Sequence, residues 1–346
     1  NGISPLVALL GEDNADTQHN ASAVLADMSR VLLGHAAKVA SEGGINLLVS
    51  LLSTSTNVSA KANAADTLGS VAVEHAQEVG SSGAIVPLVA LIKTQSNHAQ
   101  KTAARALAAI AAGGKDNQDS IKEAGGVELL VGLLNRPSIS SSNDRISPGL
   151  LWDRLRAVVA EKAVVVLEGD YELVQSMAAA ALSELARGNS NNQMAITACG
   201  GIQPLIQLVT DSSEDAKVAA ASTLWSLADK NFSNQQAIAN ANGLEALVIM
   251  AGHSNLELGQ QKASGAIASL AQNNDDNTKS LAEKLVKQLA TSKKESSTRE
   301  KAARAVANFA RADVSNQDAV AAAGGIQLIV SHLEPRVHQE KMSVDV

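Results

Sequence analysis

Aromatic residues are nearly missing: two Phe, two Trp and one Tyr among 346 residues. An aromatic-lined cofactor pocket has little to draw on here. The hydrophobic 45% is mostly Ala, Leu, Val and Ile, which suits closely packed helices. Cysteine is reduced to Cys199, so no internal disulfide can form, and no Cys or His lies at ligand spacing from it. A reducing compartment, the cytoplasm foremost, is the expectation. No apolar run reaches the roughly 20 residues of a membrane span; Lys, Glu or Gln interrupts every candidate. A formal charge of -7 argues against a nucleic-acid backbone as the main partner. Residue 1 is Asn and not Met, which leaves an N-terminal targeting segment open.

Catalytic signatures are missing as well. There is no GxGxxG, P-loop, HExxH, GxSxG or CxxC. GGK at 113–115 lacks the flanking residues of a phosphate loop and reads as a helix C-cap. The seven histidines are scattered, so no metal site is expected, and the sequons at Asn20, Asn57 and Asn231 are no more than chance supplies. The chain is expected to be no enzyme and to need no cofactor.

What is present is repetition. NQDSIKEAGGVELLVGLL from Asn117 returns as NQMAITACGGIQPLIQLV from Asn192, NQQAIANANGLEALVIMA from Asn234 and NQDAVAAAGGIQLIVSHL from Asn316. The second position of the glycine pair falls at Gly44, Ala84, Gly126, Gly201, Gly243 and Gly325, with successive spacings of 40, 42, 75, 42 and 82 residues. The last spacing is two periods, and SLAEKLVKQL at 280–289 supplies a copy without its glycines. A period of about 41 residues is that of a helical solenoid. Each period divides into a short first helix ending at the glycine pair, an apolar second helix, and a longer amphipathic third helix such as HAQKTAARALAAIAA. A left-handed C-cap at the glycine pair is expected, because Gly adopts it at least cost.

These segments, the N-Q-x-x-I/V lead to a glycine pair, the LLVxLL second helix and the AAxALxxLA third helix, resemble armadillo repeats. The resemblance implies an all-α, right-handed superhelical solenoid over residues 1–346, with about seven repeats and a partial eighth. It also implies a non-catalytic scaffold or adaptor for protein partners. A structural subunit of a larger assembly and a divergent nuclear-transport-type receptor are the alternatives. The 75-residue spacing holds an insertion at about 136–168 within repeat four: RPSISSSNDRISPG, expected to be a mobile loop, then an extra helix carrying Trp152. That helix either folds into the stack or projects toward a partner.

In this family the third helices line a concave groove that takes extended peptides. Nuclear-import members carry a ladder of Trp and Asn there. At the Asn position this chain has Asp27, Ser70, Ala109, Glu184, Ser226, Ser269 and Asn308; at the Trp position it has Ala23, Asp66, Arg105, Ala180, Ser222, Gly265 and Arg304. Only Asn308 matches, so classical signal-peptide carriage is not expected. Lys61, Lys101, Lys217, Lys262, Lys301, Arg105 and Arg304 fall on or beside the exposed side of third helices. They are either solvated charges paired with neighbours such as Glu300, or part of a mixed groove for an acidic or polar segment. Trp225, beside Ser226, is either a groove anchor or a lateral packing residue. The candidate partner-binding set is therefore Trp225, Arg105, Arg304, Asn308, Lys101, Ser222, Ser226, Lys301 and Trp152.

Overall fold

The computed structural model describes residues 2–31, 33–135, 171–292 and 297–333, and these form an all-α solenoid. The chain opens with α1 (Ile3–Leu9) and α2 (Ala15–Val31), a second and a third helix. Then come α3 (Leu33–Ser41), α4 (Gly44–Thr54) and α5 (Val58–Ser81), then α6 (Ile85–Ile92), α7 (Asn97–Ala111), α8 (Lys115–Glu123) and α9 (Gly126–Leu134). After the insertion, α10 occupies 171–186. It is followed by α11 (Ser190–Ala198), α12 (Ile202–Asp211), α13 (Glu214–Ala228), α14 (Phe232–Asn240), α15 (Gly243–His253), α16 (Glu257–Ala271), α17 (Asp275–Thr291), α18 (Ser297–Ala312), α19 (Val314–Ala322) and α20 (Gly325–Leu333). Two elements merge helices. α5 is a third helix running into the next first helix across a break at His75, and α17 is a first and second helix made continuous. α17 lacks the glycine pair, so nothing stops it.

The glycine pair does two jobs. Its first member is left-handed, with φ of 79° at Gly125 and 77° at Gly200; Asn242 takes the same place at 64°, as Asn tolerates this region best among side-chain-bearing residues. The second member must be small. A Cβ on Gly126 would stand 2.8 Å from the carbonyl oxygen of Ile121, a backbone atom that cannot swing away.

The recurring leucines form one continuous core. Leu48, Leu88, Leu130, Leu205 and Leu247 of the second helices are fully buried, as are Leu25, Leu68, Leu107, Leu182 and Leu224 of the third helices. Truncating any of these to Ala costs about 2–5 kcal/mol. No repeat could bury its own leucines, since each faces the neighbouring unit.

Polar side chains register the stack. The recurrent Asn donates from its amide to the last turn of the preceding repeat's third helix: Asn117 to Ile110 O at 2.8 Å, Asn192 to Leu185 O at 3.0 Å, Asn234 to Leu227 O at 3.0 Å, Asn277 to Leu270 O at 2.9 Å and Asn316 to Phe309 O at 3.0 Å. The Gln beside it reaches forward to the third helix of its own repeat, Gln193 to Ser226 O at 2.8 Å and Gln235 to Ser269 O at 2.9 Å. Buried carbonyls that the helix leaves open are thereby satisfied. Gln118 makes the same bond to Glu184 O at 2.7 Å, so the helices of repeat four on either side of residues 136–170 pack as those of the other repeats do. The expected loop and helix of the insertion, with Trp152, lie outside the described residues.

Candidate functional site on the third-helix face

Third helices pack side by side and parallel. Thr223 donates to Ala179 O at 2.7 Å, and the Ser183 and Ser226 hydroxyls meet at 3.3 Å. Small residues allow this approach: Gly69 faces the Ala106 backbone, where an added Cβ would lie 3.1 Å from its Cα.

Trp225 stands on this face and remains 39% exposed. Its indole lies on Gly265 of the next repeat, so closely that a Cβ there would come within 2.8 Å of the ring. Trp225 thus packs laterally onto the next repeat through one ring face and keeps an open edge. Lys262 Nζ sits 5.5 Å from the ring centroid, within cation–π range. Two cavities share the indole as a wall. One, about 380 Å³, is lined by Ser183, Arg187, Ser222, Ser226, Asp229 and Lys262 among others; the second, about 460 Å³, lies toward Ser269, Asp275, Asp313 and Asn316. Asp313 caps α19 through the backbone N–H of Ser315, and that bond, with the Ser315 hydroxyl, holds its carboxyl below the usual range.

The other candidates divide. Ser222 and Ser226 line the first cavity with Trp225. Arg105 is engaged inside the face: it donates to Asp66 Oδ1 at 2.7 Å and to Ser70 Oγ at 3.1 Å, while Arg30 holds the same carboxylate at 3.1 Å from the other side. Asp66 is buried, so three successive third helices are tied through one carboxylate. Arg304 is exposed and paired with Glu300 at 2.8 Å. Asn308, Lys101 and Lys301 are half-buried on the same face. Gly265, Asp229, Asp275 and Asp313 are absent from the sequence-derived set; the lateral register that places them beside Trp225 is not written within any one repeat. A further cleft of about 390 Å³ lies between the second helices α12 and α15, away from this face, and its Glu214 carboxylate accepts from Ser254 at 2.6 Å.

A family model described as "Armadillo/beta-catenin-like repeat" matches residues 72–112 and 189–229. The chain is an armadillo-repeat protein. Among solved structures similar to this armadillo chain, a designed armadillo repeat protein is 25% identical over 78% of this chain and 99% of its own, with a TM-score of 0.62. Computationally designed armadillo repeat proteins for modular peptide recognition show 25% identity over 77% and 99%, with 0.59. An engineered protein covers 98% of this chain and 85% of its own at 30% identity, with 0.51. No curated protein matches. The armadillo fold is that of a protein-interaction scaffold, and no helix among the described residues is long and apolar enough to cross a membrane.

Proposed function

We propose that this armadillo chain binds a segment of a partner protein along the concave groove of its third helices, with Trp225 as the anchor. One solenoid over residues 1–346, with seven repeats and part of an eighth, serves as a non-catalytic adaptor, and the 136–168 insertion is an accessory element. The observation that carries this reading is an indole held in place by Gly265, still 39% exposed, with an open cavity on each side. A preorganised aromatic loses little entropy on binding and offers apolar area, which is the pattern of an interface hot spot. That structures similar to this chain were designed for peptide recognition agrees with it.

Titration calorimetry against the purified native partner tests the proposal. Trp225→Ala is expected to weaken binding by about 2 kcal/mol or more, with helicity by circular dichroism unchanged. Arg304→Ala costs less, and its effect shrinks with salt because exposed charges are screened. If Trp225→Ala binds normally while deletion of 137–168 abolishes binding, the insertion and not the groove is the site.

A further inference from the structure

The groove around Trp225 is polarised across its width. Because third helices stand parallel, their N-terminal halves form one rim, and their C-terminal ends with the starts of the following first helices form the other. On the first rim stand Lys262, five residues before the buried Ile267, and Lys301, five before the buried Val306 of the next repeat. Neither has a carboxylate partner among the described residues; Lys262 rests on the Trp225 ring. On the second rim, Asp229 lines one cavity and Asp275 and Asp313 the other, with the exposed Lys230, next to Asp229, and Arg311 as cations on that side. Arg187, which also borders the first cavity, is paired with Glu184 at 2.6 Å.

Uniform charge in a partner meets repulsion on one rim or the other. A basic side chain stacked on Trp225 would meet Lys262, which already takes up the ring, and an acidic run would meet the three aspartates; like charges brought together across an interface select strongly against the wrong partner. An extended chain, however, turns successive side chains to opposite sides. We infer that repeats five to seven take an extended segment of alternating charge, its acidic side chains turned to Lys262 and Lys301 and its basic side chains to Asp229, Asp275 and Asp313. The aliphatic stems of those side chains lie over the open edge of Trp225. This inference rests on the groove reading above and adds the chemistry of what the groove selects.

The test uses the whole chain and labelled peptides of about eight residues, enough to cross three repeats at roughly 3.3 Å per residue and about 10 Å per helix. A Glu-Lys alternating peptide is compared with its block isomer, all Glu then all Lys, and with all-Glu and all-Lys peptides, by fluorescence anisotropy. The alternating and block isomers have one composition and one net charge, so only pattern separates them. The alternating peptide is expected to bind about tenfold tighter than the block isomer or either uniform peptide at low salt, with the gap closing as salt is raised. Lys262→Glu, at a half-exposed position, should keep its helicity, lose affinity for the alternating peptide and gain affinity for the all-Lys one. Equal binding of the two isomers, tighter binding of a uniform peptide, or no binding of the alternating one overturns the inference. If Trp225→Ala still weakens native partner binding in that event, the groove stands and only the charge pattern falls; if Trp225→Ala leaves partner affinity unchanged, both fall together.

Discussion

Gly265 decides how Trp225 lies. With no side chain at 265 the indole rests on bare backbone, and a methyl there would sit 2.8 Å from Cε3 and Cζ3. Gly265→Ala should lift the ring toward solvent while the helix, a better former with Ala, stays intact. In a Trp152→Phe background Trp225 is the only indole, so its emission should shift to the red, iodide quenching should rise, and partner affinity should fall. Unchanged emission would mean that the ring does not depend on its seat. A similar logic applies to Asp66, where the charge is structural. Its buried carboxylate holds Arg30 and Arg105 from the two flanking repeats, so Asp66→Ala leaves both guanidinium groups without their shared partner, at a cost of about 2 kcal/mol. Urea unfolding should show that loss. Arg105→Ala should cost somewhat less, since Asp66 keeps Arg30, and the double mutant less than the sum, because both changes remove one interaction. Strict additivity would show that the two residues act apart.

At the level of the element, each helix ends where its own residues say it should. The left-handed stop, the buried leucine and the alanine-rich third helix are local properties, so the period and the order of helices are legible from the sequence, whereas the running-together of helices in α5 and α17 is seen only in the structure. Nothing within one repeat reports what lies beside it in the next. Arg105 reads as a free groove cation until Asp66, a repeat earlier, is seen to hold it. The seat of Trp225 lies 40 residues further on. The recurrent Asn was legible as a repeat marker, whereas its role, satisfying a carbonyl seven residues back, emerges only once the helix turns are stacked. Asn234→Ala tests that role. It leaves the buried Leu227 carbonyl unpaired at a cost of about 1–3 kcal/mol, and amide exchange should quicken first in the last turn of α13 and in α14. Uniform quickening over all repeats would mean that the unit does not open locally.

The whole molecule is quasi-one-dimensional, so an interruption matters only if it parts two neighbouring units. Residues 136–170 do not part them. Tyr171 donates its hydroxyl to Leu133 O at 3.2 Å and to Asn135 O at 3.0 Å, and Gln175 donates to Leu134 O at 2.9 Å. The start of α10 is therefore bonded to the end of α9, so residues 135 and 171 lie side by side. Closing that gap needs little chain, and loop-closure entropy changes slowly with length, by about 0.6 kcal/mol for each doubling. Replacing 136–170 with a linker of about five Gly and Ser residues is expected to keep the helical signal per residue and the urea midpoint within experimental error, because Gln118 still reaches Glu184 across the junction. Size-exclusion chromatography should show the shortened chain in the same oligomeric state as the original. A collapse of helicity, or unfolding that splits into two transitions at the junction, would show that the insertion completes the packing of α9 against α10 within repeat four. With the fold retained, the partner affinity of the shortened chain measures what the insertion adds to the groove.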